Sequence, residues 1–89
     1  MGYSFEMKPS CRKAINKLCK KNAELRKALE NKIIEATENP LHYKPLKYGL
    51  AGERRVHILK SFVLVFVVHE GKNLVEFVRF DHHDNAFQR

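Results

Sequence analysis

The stretch that decides the fold runs from residue 61 to residue 80, SFVLVFVVHEGKNLVEFVRF. Phe62–Val68 is an unbroken run of seven apolar residues. A Val- and Phe-rich run of that length reads as a strand covered on both faces. Ser61–Glu70 is therefore expected to be a central strand. Glu70-Gly71-Lys72-Asn73 has turn chemistry, and Leu74–Phe80 resumes as the next strand, so a hairpin is predicted. Just upstream, Glu53–Leu59 alternates: Val56 and Ile58 face one way, and Arg55, His57 and Leu59 the other. Three consecutive strands thus occupy the second half of the chain.

The first half has a different period. Cys11, Ala14, Ile15, Leu18 and Cys19 fall at i, i+3, i+4, i+7 and i+8, one helical stripe. Arg12, Lys13, Lys17, Lys20 and Lys21 lie on the opposite side of that helix, with no acid among them. Ser10 is the expected N-cap of this helix, after the break at Lys8-Pro9. Asn22 can cap a second helix, whose apolar stripe is Leu25, Ala28, Leu29, Ile33 and Ala36, and Asn39-Pro40 stops it. Two helices with so short a joint predict an antiparallel helical hairpin. Tyr3–Lys8 alternates weakly and reads as a short first strand. Leu41–Gly52, with Pro45, Gly49 and Gly52, reads as a loop.

The predicted order is β-α-α-β-β-β, an α+β fold. A two-helix hairpin packs on one face of a small, twisted, mostly antiparallel sheet, and the other face stays partly open. Residues 1–89 are read as a single domain. Hydrophobic residues at 44% and charged residues at 30% exclude a disordered or collagen-like chain. Seventeen Lys and Arg against ten Asp and Glu leave +7. So basic a small chain meets an acidic partner, or else uses its charge for solubility alone. Met1–Glu6 has no signal-peptide pattern, and the longest apolar run is far short of the ~20 residues a membrane helix needs. A cytoplasmic protein is expected, without a membrane partner. Cys11 and Cys19 on one helix lie about 12 Å apart along its axis, beyond the roughly 7 Å that a disulfide allows, and read as small buried hydrophobes.

Cations cluster between residues 44 and 60. Lys44, Lys47, Arg54, Arg55 and Lys60 face a single acid, Glu53. On a loop and strand such side chains can converge into a phosphate-binding patch, or serve to guard a sheet edge. His57 sits two residues after Arg55 and so shares its strand face. If the last strand continues, Arg79, Asp81 and His83 share a face, and His82 points the other way. His42 and His69 fall in loop or turn positions and are assigned no role. These residue types suit RNA cleavage without a metal. One group takes the proton of a ribose 2′-OH, which attacks the adjacent phosphorus, and a second protonates the leaving 5′-oxygen. Cations stabilise the charge that builds on phosphorus. There is no carboxylate cluster of a Mg²⁺ type and no His/Cys set of a zinc type, so no metal and no cofactor are expected.

At this point the chain resembles the RelE/ParE superfamily of toxins from type II toxin–antitoxin modules, over nearly its full length. The matching pieces are the helical hairpin, then PLKYGLAGERRVHI at 45–58, FVLVFVV at 62–68, EGKN at 70–73 and LVEFVRFDHHDNAF at 74–87. The run GERRVHI with a late histidine and aromatic is most similar to the branch that cleaves mRNA on the ribosome. The resemblance implies catalytic roles for His57, His83 and Arg55. It implies RNA-binding roles for Lys44, Lys47, Arg54 and Phe87, to which the cation cluster adds Lys60 and the shared strand face adds Arg79. It further implies a cognate antitoxin and, as targets, the ribosome and its mRNA. Two departures stand out. Ser61 occupies a position where closely similar sequences carry an acid, and the C-terminal pair is His-His where His-Arg is common. Beside the ribonuclease reading stand a non-catalytic one, a ParE-like gyrase-binding toxin or a homologue that only binds its antitoxin, and an RNA-binding module without activity.

Overall fold

The computed structural model describes residues 3–43 and 53–83. Its elements are β1 (Ser4–Met7), α1 (Pro9–Cys19), α2 (Ala23–Glu38), a 3-10 turn (Pro40–His42), β2 (Glu53–Ile58), β3 (Phe62–His69), a second 3-10 turn (Glu70–Lys72) and β4 (Leu74–His82). The strands form one sheet in the order β1-β4-β3-β2. β2 and β3 are antiparallel, as are β3 and β4, while β1 lies parallel to β4. The α+β architecture predicted from the sequence is the one observed.

The central strand is β3, and both its faces are covered. Leu64 and Phe66 are buried on the helix side, and Val63 and Val65 are buried on the other. Residues 74–82 form a strand two residues longer than Leu74–Phe80, which carries His82 into the sheet. One irregularity interrupts its pairing. Val65 pairs with Arg79 and Phe66 with Phe77, so Val78 is the extra residue of a β-bulge.

The helical stripe predicted for α1 is the one that packs. Cys11, Ile15 and Cys19 join Leu25, Leu29 and Ala36 of α2 against Val56, Ile58, Leu64, Phe66, Val75, Phe77 and Phe80 of the sheet. Both cysteines are free and buried, and burial pushes the Cys11 thiol up to about 11. The start of α1 corrects the sequence reading. Ser10 is not its N-cap. Lys8 holds that place in extended conformation (ψ 144°) and Pro9 opens the helix, with no side-chain cap. Proline forces the residue before it out of the helical region and supplies a φ already suited to a first turn. α2 starts as expected: the Asn22 side-chain oxygen accepts the Leu25 N–H at 3.0 Å. The turn before β4 closes on Asn73 in the left-handed region, φ 50°. No helix among the described residues is long and apolar enough to cross a membrane.

Candidate functional site

β2 alternates strictly. Val56 and Ile58 are buried toward the helices, while Arg55 and His57 are exposed on the opposite, open face. Register then aligns the candidates. Val65 pairs with Arg55 on one side and Arg79 on the other. Val63 pairs with His57 on one side and Asp81 on the other. The apolar centre of β3 is thus flanked by a pair of arginines and, one step along, by a histidine and an aspartate.

His83 lies just past the end of β4. Its N–H donates to the Ser61 carbonyl at 2.7 Å, which ties the strand end to the β2–β3 connection. The His57 and His83 rings come to 5.1 Å between centroids, with their planes 32° apart. His82 goes the other way, as adjacent strand residues must. Its ring meets Phe62 edge-on at 5.5 Å, and its N–H donates to Asp81 Oδ1 at 2.7 Å. Though the side chain is exposed, partial desolvation, the nearby His83 and the Arg55 charge push the His57 pKa below the usual histidine value. The shift favours the neutral imidazole, the form that can accept a proton.

The structure separates two residues that the sequence placed together. Arg54 is on the helix side, not beside Arg55. Its Nη1 donates to the Tyr43 carbonyl at 3.0 Å, and its Nε is buried without a hydrogen-bond partner. Alternation in β2 dictates this: neighbours in a strand cannot share a face. Lys60 is exposed in the connection after β2, where Leu59 and Lys60 both have positive φ (51° and 66°), the sign that a tight hairpin turn demands. Lys44, Lys47 and Phe87 lie outside the described residues. His69, assigned no role, contacts Glu76 at 3.1 Å. The sequence reading missed the Ser61 carbonyl as the anchor of His83. A main-chain group carries no residue-type signal, so only the pairing of strand ends could have shown it. Among the described residues no group of three or more His, Cys, Asp or Glu is arranged to hold a metal ion.

Comparison with known proteins places the chain in a family. The family model for the ParE toxin of type II toxin–antitoxin systems matches residues 6–87. A relative from Methanocaldococcus jannaschii, named "Putative toxin RelE4", is 48% identical over 87 residues, covering 98% of this chain and 93% of its own. The fold matches that of the DinJ–YafQ toxin–antitoxin complex of E. coli, with a TM-score of 0.79 at 20% identity, over 99% of this chain and 100% of the other. It also matches a metal-bound toxin from Helicobacter pylori, with a TM-score of 0.74 at 30% identity, over 96% and 99% of the two chains. The chain belongs to the ParE toxin family of type II toxin–antitoxin systems, within the RelE/ParE superfamily.

Proposed function

We propose that this toxin is a ribosome-dependent endoribonuclease that cuts translated mRNA in the cytoplasm. The observation that carries the reading is the meeting of His57 and His83 at 5.1 Å, on the face that also presents Arg55 and Arg79. His57, with its lowered pKa, is the general base that takes the ribose 2′-OH proton. His83 is the group that protonates the leaving 5′-oxygen. Arg55 stabilises the charge that develops on the phosphoryl oxygens, since a guanidinium keeps its charge throughout. Arg79 and Lys60, with Lys44, Lys47 and Phe87, hold the RNA. The nucleophile belongs to the substrate and both proton transfers fall to histidines, so the reaction calls for no metal and no hydrolytic water. Arg54, on the far side of the sheet, is assigned to holding the Tyr43 backbone and not to RNA. A cognate antitoxin restrains the toxin, as in the toxin–antitoxin complexes that share its fold.

A second reading, non-catalytic binding of DNA gyrase, is favoured by the ParE description of the matching family. The two separate cleanly. Purified protein added to programmed ribosomes is expected to cut the mRNA, read by primer extension. Intact mRNA together with inhibition of gyrase supercoiling would replace the first reading with the second.

A further inference from the structure

The register lines up three carboxylates across the whole sheet. Glu6 pairs with Glu76, Glu76 with Val67, and Val67 with Glu53. Glu76 alternates with the buried Val75 and Phe77, so this line lies on the open face. The next line is Arg55–Val65–Arg79, and the one after it is His57–Val63–Asp81. Successive lines are about 6.7 Å apart, two residues of strand. The acidic line is also held in place: Glu76 Oε1 is 3.1 Å from His69 Nε2, and both side chains are part-buried. Along the strands the open face therefore runs from three carboxylates, through two arginines, to the histidine pair with Asp81 and then Lys60.

We propose that Glu6, Glu53 and Glu76 are a specificity-determining barrier that forces RNA to cross the strands instead of running along them. The inference rests on the reading that this face takes RNA, and it names the path the RNA follows. A phosphate seated on Arg55 or Arg79 has the carboxylate line within one Debye length, about 8 Å at physiological salt, so repulsion there is not screened away. A strand that continued toward Glu53 and Glu76 would place its next phosphates against that line. A strand that crosses from β2 to β4 meets arginine on both sides and passes the histidines. The carboxylates take no part of the RNA in this arrangement. They shorten the tract of RNA that the face accepts.

The test uses the full chain and fully 2′-O-methylated single-stranded RNAs of increasing length, which bind but cannot be cut. For the unaltered protein, affinity should stop rising at a short length. In the triple variant Glu6→Gln, Glu53→Gln, Glu76→Gln it should keep rising. Longer RNAs should bind about two- to fivefold tighter, the scale of a surface charge contact. The slope of log affinity against log salt should steepen by about 0.7 for each phosphate gained. Glu6→Lys, at an exposed site, makes the same prediction with little demand on folding, and thermal melts check both variants. Length profiles and slopes identical to the unaltered protein overturn the barrier. Cleavage on ribosomes is measured in parallel. Cutting by the parent protein with unchanged length profiles removes the barrier alone. Binding and barrier without cutting removes only the ribonuclease chemistry. A parent protein that cuts on ribosomes but binds none of these RNAs removes the barrier alone, and one that neither binds them nor cuts overturns both.

Discussion

His57 and His83 owe their meeting to different causes, and so differ in what their loss should do. His57 is fixed by its place in β2, opposite Val63. His83 is held by a main-chain bond to Ser61, at the strand end. Replacing either with Ala should slow single-turnover cleavage by about 10²- to 10⁴-fold, with RNA binding little changed, if each transfers a proton. Arg55→Ala should weaken binding and cleavage together. Wild-type rates in both histidine variants would move the chemistry to the cations. His57 also couples folding to pH. Its pKa is lower in the folded chain than in the unfolded one, so the unfolded chain binds more protons as the solution is acidified. The contribution is stabilising above the ordinary histidine value of about 6.5 and is lost as pH falls through the lower folded value. Urea midpoints followed from pH 8 to pH 5 should drop less in His57→Asn than in the parent chain.

At the scale of single elements, the sequence was legible wherever period and capping agreed. The stripes of α1 and α2, the alternation of β2 and the apolar run of β3 each specify one packed arrangement, because a shift of register would expose them. The start of α1 was misread because two signals competed. Ser10 has the chemistry of a cap, but Pro9 already occupies the first helical position, and the chain enters through Lys8. Asn22 has no such rival. Replacing Asn22 with Ala should therefore cost about 1 kcal/mol, while Ser10→Ala should be close to neutral. Equilibrium denaturation of the two variants measures the contrast directly. The bulge at Val78 left no trace in the pattern, since Val78 looks like any other strand residue in VRF.

Across the whole molecule, what the sequence could not show was which cations share a face. A charge count treats Arg54 and Arg55 alike, and only the pleat separates them. The same holds for α1. Lys13 and Lys17 are exposed on a helix whose Cys11, Ile15 and Cys19 pack against the sheet, on the face opposite Arg55 and His57. If RNA is engaged only on the open face, the +7 of the chain overstates the charge that any one short RNA can meet. Each phosphate contact on a single strand contributes a slope of about 0.7 in log affinity against log salt. The double variant Arg55→Gln, Arg79→Gln should therefore lower the slope by up to about 1.4 on a short oligonucleotide. Lys13→Gln with Lys17→Gln should leave that slope where it was, because the helices stand between those lysines and the open face. Fluorescence anisotropy titrations from 50 to 300 mM salt, over which the screening length falls about 2.4-fold, resolve a change of that size. An equal fall in slope for both variants would show that the RNA spans the helices as well as the sheet, and that the outer side of α1 belongs to the binding surface.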